Sequence, residues 1–278
     1  MRQILIPTDF STNALNATSF ALQFFEKEPT SFHFLHIEGL IKMRNDLDLH
    51  SAGITILRQA SKEAKTQMKE WMKQIRIAHP NPLHQYTEAV VQASFIEGIR
   101  EFISKHQIEL IIMGTKGASG LKEKTIGSRT GAVITRVKCP ILVIPEKAHF
   151  RTPLTLGFPT DFNMLYKPRI MSTLLDITQL HGSSIKVLRV AQNQIPLDNF
   201  QKTNREQLKD QLNEVPHSFH AIENPRLEEA LQLFVTSMRI DMVAMIAKNL
   251  NFFQRILFKP RVARISYHMH IPFLVLHE

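Results

Sequence analysis

The chain has 278 residues, of which 44% are hydrophobic and 21% are charged. This composition is typical of a globular protein of one large domain or two medium ones, and it excludes disorder as the main state. Lysine and arginine number 34 against 25 acidic residues, and the net charge of +9 favours polyanionic partners. The basic residues are scattered along the chain, so a solvated surface explains them without any partner.

No apolar run approaches the roughly 20 residues that a membrane span requires. Met1 leads directly into a short strand-like run and not into the apolar core of a signal peptide. We therefore expect a cytoplasmic protein that does not enter a membrane. The one cysteine, Cys139, excludes an internal disulfide and a multi-cysteine zinc site, and we expect it to be buried at the entrance of a strand.

Strand-like and helix-like segments alternate along residues 1–147. Short apolar strands are predicted at 4–7, 32–37, 83–91, 108–113 and 141–144. Helices with apolar residues recurring on one face are predicted at about 14–25, 56–79, 95–106 and 128–138, the first capped by Ser11-Thr12. Such alternation predicts a parallel sheet of five strands that four helices cover on both faces.

The remainder of the chain repeats this pattern. Residues 4–10 read ILIPTDF and residues 156–162 read LGFPTDF, so the shared PTDF is displaced by 152 positions (159 − 7). CPILVIPE at 139–146 and IPFLVLHE at 271–278 are displaced by only 132 positions (271 − 139). We therefore predict a tandem duplication, with a first repeat at residues 1–147, a short linker, and a second, shortened repeat at residues 153–278.

The second repeat contains the same order of elements as the first. Its strands are predicted at 154–158, 185–190, 217–222, 241–246 and 273–276, and its helices at 167–181, 200–213, 226–238 and 260–268. The fold class is therefore α/β, with two tandem doubly wound domains.

A loop with regularly spaced glycines, GTKGASGLKEKTIGS at 114–128, comes directly after the buried strand that ends at Met113. Glycine is needed where φ is positive or where a backbone or ligand comes too close for a Cβ. Gly127 and Ser128 open the next helix, whose first N–H groups favour an anion. Since ligands of open parallel sheets bind beyond the carboxyl ends of the strands, this loop and the strand end Pro7-Thr8-Asp9 form a candidate phosphate site. A tight turn that binds nothing is the alternative.

The spacing of Gly114, Gly117, Gly127 and Ser128 resembles the motif of the ATP-binding universal stress proteins: Gly, two residues, Gly, nine residues, then Gly with Ser or Thr. The segments MGTKGASGL and CPILVIP are also similar to sequences that are common in that family. The order of elements and the second PTDF extend the resemblance over nearly the whole chain. The resemblance implies a Rossmann-like fold of the adenine-nucleotide alpha hydrolase kind and binding of ATP, or of AMP or ADP, with Mg²⁺.

The resemblance also implies roles for particular residues. Asp9, beside Pro7 and Thr8, and the backbone around Ile37 would hold the adenine and ribose. Gly114 and Gly117, after Met113, would let the loop pass close to the ribose and phosphates. The phosphates would be bound by Gly127, Ser128, Arg129 and Thr130. Arg129 departs from the small or apolar residue often found there, and it either contacts phosphate or points to solvent. For Asp9, capping of the first helix is the alternative to ligand binding.

The second repeat departs from the glycine motif. At the displacement of 132, the four motif positions become Ile246, Asn249, Lys259 and Pro260, which cannot form the same phosphate site. Asp161 is retained at the strand end, where we expect it to serve as a cap. The sequence thus predicts one nucleotide site per chain, in the first repeat, and a structural or regulatory second repeat.

Family members commonly dimerise through their last strands, and the resemblance implies that a tandem chain forms this pairing internally. Residues 143–145 and 275–277 are the predicted edges, and their pairing would protect both from aggregation. The two repeats would then form a pseudo-dimer within one chain, and a further homodimer remains open.

Three other functions fit the sequence less well. A dedicated enzyme is disfavoured because no Walker-type Lys-Ser/Thr comes after the glycines, although a slow ATPase remains open. The segment 249–270 interleaves phenylalanines with basic residues, which fits either a core helix with its loop or a surface that recruits protein or nucleic acid in a scaffold without nucleotide. A histidine metal site is disfavoured because His33 and His36 lie on opposite faces of a strand.

Overall fold

The computed structural model describes residues 1–39, 50–115, 126–191, 196–223, 227–247 and 270–277. Within these ranges the predicted strands and helices are all present, with ends that differ by a few residues. The helix predicted at 260–268 lies outside the described residues. The elements of the first repeat are β1 (Arg2–Pro7), α1 (Thr12–Phe24), β2 (Thr30–Glu38), α2 (His50–Ala78), β3 (His84–Gln92), α3 (Phe95–His106), β4 (Leu110–Gly114), α4 (Ser128–Arg136) and β5 (Ile141–Ile144). Those of the second repeat are β6 (Thr155–Pro159), α5 (Pro168–His181), β7 (Ser184–Ala191), α6 (Asn199–Gln211), β8 (His217–Glu223), α7 (Leu227–Ser237), β9 (Met242–Ile246) and β10 (Phe273–Leu276).

The chain divides into two compact units, the first with β1–β4 and α1–α4, the second with β5–β10 and α5–α7. In the first unit the strands are parallel and lie in the order β3-β2-β1-β4. The chain adds β2 and β3 on one side of β1 and then places β4 on the other side. The carboxyl ends of β1 and β4 therefore flank the switch point at which sheets of this kind bind ligands.

The helices of the first unit begin where the local sequence predicts. Ser11 is the N-cap of α1, and its Oγ accepts a hydrogen bond of 3.2 Å from the N–H of Ala14. Right-handed crossovers place α1 and α2 on one face of the sheet and α3 and α4 on the other. A hydrogen bond of 3.1 Å from Nε of Arg100 to the carbonyl of Arg136 joins α3 to α4.

The core of the first unit lies on both faces of its sheet. All five residues of β4 are buried, as its unbroken apolar run predicted. Cys139 is 3% exposed, which confirms that it is a buried residue, and burial raises the pKa of its thiol to about 12. Such a thiol is inert at neutral pH.

The second unit has the strand order β5-β10-β9-β6-β7-β8. Strands β6–β10 are parallel to one another, so the predicted five-stranded parallel sheet of the second repeat is confirmed. Strand β5, which the sequence assigns to the first repeat, pairs antiparallel with β10, with Val143 opposite Phe273 and Ile141 opposite Val275. The last strands of the two repeats therefore pair through residues 141–143 and 273–275, two residues before the predicted edges at 143–145 and 275–277.

Two local signals fix the helices of the second unit. Helix α5 begins with Pro168 and ends against Gly182, whose φ of 63° suits a residue without a Cβ. Helix α6 begins with a capping box between Asp198 and Gln201. None of the helices within the described ranges is long and apolar enough to cross a membrane.

Candidate functional site

The residues directly after β1 form a compact turn. The N–H of Thr8 donates to the carbonyl of Leu35 at 2.9 Å, and Thr8 Oγ1 accepts from the N–H of Phe10 at 3.0 Å. Phe10 adopts a left-handed φ of 60°, which turns the chain into α1. Pro7 and Thr8 are buried, whereas Asp9 is only partly buried at the carboxyl edge of the sheet. The turn thus presents the carboxylate of Asp9 at the switch point.

Asp9 does not cap α1 itself. Its Oδ1 accepts from both the N–H and the Oγ of Ser11, at 3.2 and 2.6 Å, and Ser11 then caps the helix. The alternative in which Asp9 is the N-cap is therefore wrong, because the cap is two residues later. Asp9 orients the capping hydroxyl and remains partly accessible to a ligand.

Helix α4 starts against the end of β4. The N–H of Gly127 donates to the carbonyl of Thr115 at 2.6 Å, and Thr130 Oγ1 donates to the carbonyl of Gly114 at 2.8 Å. Among the residues that the structure describes, no side chain caps this helix, and its first turn contains no acidic residue. The N–H groups of Ser128, Arg129 and Thr130 therefore point out of an uncapped helix N-terminus, which is where an anion is stabilised.

Gly127 has φ −60° and ψ 152°, a conformation that any residue can adopt. Its lack of a side chain is therefore not required by the backbone, and glycine is also one of the residues favoured at the N-cap of a helix.

Gly114 is favoured by close packing. A Cβ at this position would lie 3.2 Å from the carbonyl oxygen of Asn13 in the first turn of α1. This contact fixes the end of β4 against the start of α1, so Gly114 brings the β1 turn and the α4 N-terminus together. Met113, before it, is buried.

Thr130 is 2% exposed, and its hydroxyl already donates to Gly114. Of the groups predicted to bind phosphate, Thr130 can therefore offer its backbone N–H but not its hydroxyl proton. Ser128 is exposed at the first position of α4, and its hydroxyl is accessible to a ligand.

Arg129 is exposed in the first turn of α4. Its guanidinium carbon lies 5.4 Å from the centroid of the Phe95 ring, at the start of α3. Phe95 was not predicted as a site residue. The signal that could have identified it is an aromatic residue at the first position of a helix that starts at the same carboxyl edge.

The end of β2 forms a third side of this region. Ile37 is 7% exposed and packs against Gly98 in α3, where a Cβ would come within 3.0 Å of it. His36 points to the opposite face: its Nδ1 lies 2.8 Å from the carbonyl oxygen of Thr8, and its ring stacks on Phe10 at 4.6 Å. His33 contacts Phe102 and His106 of α3, which confirms that the two histidines lie on opposite faces.

A groove of about 340 Å³ lies between α1 and α2. Phe10, Leu15 and Trp71 line it together with polar residues of both helices. The groove adjoins the β1 turn but lies on the face of the sheet away from α4, so it is separate from the predicted phosphate site.

The corresponding turn of the second repeat is closed by its own chain. Thr160 Oγ1 accepts from the N–H of Phe162 at 3.1 Å, as in the first repeat, but it also lies 2.5 Å from the hydroxyl of Tyr166. Tyr166 is fully buried, and burial raises the pKa of its phenol. Asp161 Oδ1 accepts from the N–H of Asn163, and the N-cap of α5 is Lys167, so the expected capping role of Asp161 is wrong.

Several positions named from the sequence fall outside the described residues: Gly117, Asn249, Lys259, Pro260 and the segment 249–269. In the described part of the chain there is no group of three or more His, Cys, Asp or Glu side chains arranged to hold a metal ion.

Comparison with known proteins places these features in a family. The model of the universal stress protein family matches residues 1–145. The chain is 29% identical over 156 residues to Universal stress protein MJ0531 of Methanocaldococcus jannaschii, covering 52% of this chain and 82% of that protein. It is 28% identical over 159 residues to Universal stress protein MJ0577 of the same organism, covering 52% of this chain and 96% of that protein.

Solved structures resemble the whole chain. A universal stress protein from Archaeoglobus fulgidus superposes with a TM-score of 0.66 at 14% identity, covering 99% of this chain and 96% of that one. A functionally unknown protein from Pseudomonas aeruginosa, PA1789, gives a TM-score of 0.56 at 16% identity over 99% of this chain and 92% of that one. At such identities the likeness establishes the fold alone.

Proposed function

Because the chain belongs to the universal stress protein family, we propose that its first repeat binds an adenine nucleotide and that the protein acts as a regulatory stress-response protein. The single observation that carries the proposal is the uncapped N-terminus of α4, fixed against the end of β4 beside the β1 turn. ATP with Mg²⁺ is the proposed ligand, with AMP and ADP as alternatives.

The donors at this edge suit a polyphosphate. The N–H groups of residues 128–130 and the positive end of the helix favour anionic oxygens, and no carboxylate lies in the first turn to repel them. Asp9, partly accessible two residues beyond β1, would accept a hydrogen bond from the base or the ribose, and Ile37 would provide an apolar contact at the end of β2. A bound nucleotide supplies negative charge, which its Mg²⁺ partly neutralises.

The two repeats have different proposed roles. Residues 1–147 form the nucleotide-binding domain, and residues 153–278 form a structural or regulatory domain whose equivalent turn is closed by Tyr166. The pairing of β5 with β10 supports a pseudo-dimer within one chain, which we propose together with a cytoplasmic location.

Calorimetric titration tests this function. The nucleotide-stripped protein should bind ATP in the presence of Mg²⁺ at one site per chain, and Gly127→Val should abolish the binding. The φ and ψ of Gly127 are allowed for valine, so the variant places a side chain at the proposed phosphate site without a disallowed backbone conformation. Lys167→Val places the same residue at the N-cap of α5, which also lacks a side-chain hydrogen bond, and it should leave binding unchanged.

Two sites per chain would contradict the assignment of the second repeat as inactive. No heat and no retained nucleotide in the folded wild-type chain would contradict nucleotide binding altogether and would favour a scaffold that recruits partners, with residues 249–270 as the first segment to test.

A further inference from the structure

Strand β3 is the outer strand of the first unit, and among the described strands it pairs only with β2. The N–H of Thr30 donates to the carbonyl of Leu83 at 3.1 Å, and the N–H of Ala93 donates to the carbonyl of Glu38 at 3.1 Å. Since the backbone groups of successive residues in a strand point to opposite sides, the odd-numbered residues of β3 face β2. The N–H and C=O groups of its even-numbered residues therefore point away from the sheet.

The chain itself covers the first part of this outer edge. The N–H of His84 donates to the carbonyl of Asn81 at 3.2 Å, and the carbonyl of Tyr86 accepts from Nη2 of Arg76 at 3.3 Å. The guanidinium carbon of Arg76 also lies 5.3 Å from the centroid of the Tyr86 ring. A charged side chain on an edge strand is one of the ways in which proteins prevent strands of different molecules from pairing.

The second part of the edge, residues 88–92, has no such cover. The outward backbone groups of Glu88 and Val90 form no hydrogen bond with any residue that the structure describes. The side chains of Ala89, Val90 and Val91 are half-buried, and Glu88 and Gln92 on either side of them are exposed. The stretch contains no lysine, arginine or proline. Free backbone groups beside apolar side chains form the kind of strand edge that pairs with another strand.

The outer strand of the second unit, β8, is protected differently. The carbonyl of Pro216 accepts from the N–H of Ile185 at 2.8 Å, so the odd-numbered residues of β8 face outwards. The guanidinium carbon of Arg205 lies 5.0 Å from the ring centroid of Phe219, in the middle of that edge. The edge of β8 thus carries a charge where the free part of the β3 edge carries apolar side chains.

We infer that residues 88–92 pair with the same residues of a second copy of this chain, as antiparallel strands about a two-fold axis. In the register centred on Val90, the Val90 residues of the two copies exchange both N–H···O bonds, and each Glu88 lies opposite Gln92 of the other copy. Ala89 then packs against Val91 of the other copy on the opposite face of the sheet. Every apolar side chain of the stretch faces another apolar side chain in this register.

Other registers are less favourable. Centring the pair on Glu88 would place two carboxylates opposite each other, and like charges in that arrangement are destabilising. Registers that include Tyr86 would compete with Arg76 for its carbonyl. Registers that extend beyond Gln92 would need Ser94, which is already the N-cap of α3. The stretch is therefore complementary to itself in one register, which favours a second copy over an unrelated strand as the occupant.

The test is sedimentation velocity of the full chain at concentrations up to about 300 µM, since so short an interface associates weakly. The wild-type chain should form dimers reversibly as its concentration rises. Val90→Pro removes an outward N–H that the pairing with β2 does not use, and it should weaken the dimer about tenfold or more. Ala221→Pro makes the same change at an outward-facing position of β8 and should leave the dimer unchanged.

Substitutions at Gln92 test the register without changing the backbone. Gln92→Lys places a cation opposite Glu88 at both ends of the paired stretch and should tighten the dimer about fivefold, whereas Gln92→Glu should weaken it about as much. Adding Glu88→Lys to Gln92→Glu restores opposite charges across the pair and should recover the wild-type affinity.

The outcomes do not depend on whether the chain binds a nucleotide. A chain that stays monomeric at the highest concentration would overturn the inference and would favour a strand of a different protein as the occupant. A dimer that Val90→Pro leaves intact, or that Ala221→Pro removes, would place the interface elsewhere. If circular dichroism shows that Val90→Pro does not fold, the Gln92 variants decide, and shifts of the same sign for lysine and glutamate would overturn the pairing.

Discussion

The turns after β1 and β6 have the same sequence and the same backbone geometry but different surroundings. Phe10 and Phe162 have φ of 60° and 59°, and the threonine hydroxyl of each turn accepts from the phenylalanine N–H at 3.0 and 3.1 Å. The N–H groups of Thr8 and Thr160 donate to the neighbouring strand at 2.9 and 2.8 Å. Because the turn forms equally well in a repeat without the glycine motif, PTDF is a structural signal and does not by itself indicate a ligand.

The two turns differ in the length of chain that leads to the next helix. Helix α1 starts at Thr12, two residues after Phe10, whereas α5 starts at Pro168, six residues after Phe162. The additional residues place Tyr166 against Thr160. Gln201 and Asn204 of α6 then donate to the carbonyls of Asp161 and Phe162, at 2.9 and 2.8 Å. In the second repeat the residues after the turn therefore occupy this edge of the sheet with the buried side chain of Tyr166 and with hydrogen bonds from α6.

Replacing the residue that closes the second turn should have the largest effect on stability. Tyr166→Ala removes a fully buried ring and should lower the free energy of unfolding by about 3–5 kcal/mol, as other large-to-small core changes do. Phe10→Ala, at the half-buried position in the first turn, should cost less than half of that. Urea unfolding monitored by circular dichroism measures both.

Tyr166→Phe separates the ring from its hydroxyl. It keeps the packing and should cost only about 1 kcal/mol, the worth of the hydrogen bond to Thr160. Equal losses for Tyr166→Ala and Phe10→Ala would contradict the conclusion that only the second turn is part of the core.

The sequence predicted the elements of both repeats because apolar periodicity and the repeated landmarks reflect burial, which these strands and helices then have. The unbroken apolar run of β4 predicts a strand buried on both faces, and all five of its residues are buried. The β5–β10 pairing could also be predicted, because two similar apolar strands end the two repeats.

The sequence did not predict the partners of the site's polar side chains. The hydroxyl of Thr130 donates to Gly114, and Arg129 lies over Phe95, because α3 and α4 pack together across a large separation in sequence. The closure of the second turn by Tyr166 was missed for the same reason: a tyrosine several residues after a strand carries no local signal that it will bond to Thr160.

The aspartates of the two turns should have similar effects on stability and different effects on binding. Asp9 accepts from Ser11, and Asp161 accepts from Asn163 at 3.0 Å, so alanine at either position should cost about 1–2 kcal/mol. Only Asp9→Ala should also weaken ATP binding, about tenfold, since Asp9 is the proposed partner of the adenine and ribose. Urea unfolding and calorimetric titration of the two variants give both quantities, and a loss of ATP affinity in Asp161→Ala would mean that the second repeat contributes to the site.

The acid sensitivity of the two units should also differ. Burial lowers the pKa of His181 in the second unit to about 4, and it lowers the pKa of His33 in the first. An unfolded histidine gains its proton near pH 6.5, whereas folded His181 stays neutral down to about pH 4. The stability associated with neutral His181 is therefore present above pH 6.5 and is lost as the pH falls towards 4. Between pH 7.5 and 5.5 this loss amounts to at most about 1.4 kcal/mol, and His181→Gln should abolish it.

His33 should contribute less to this acid sensitivity. Its Nε2 lies 2.8 Å from Oε1 of Gln3 and its Nδ1 lies 2.7 Å from Oγ1 of Thr87, and both oxygens can accept from an imidazolium. These bonds offset part of the cost of charging His33 in the folded state, whereas for His181 burial is the only cause of the lowered pKa. The difference between the urea midpoints at pH 7.5 and pH 5.5 should therefore shrink more in His181→Gln than in His33→Gln. The reverse order would assign the acid-sensitive step to the first unit, which contains the proposed nucleotide site.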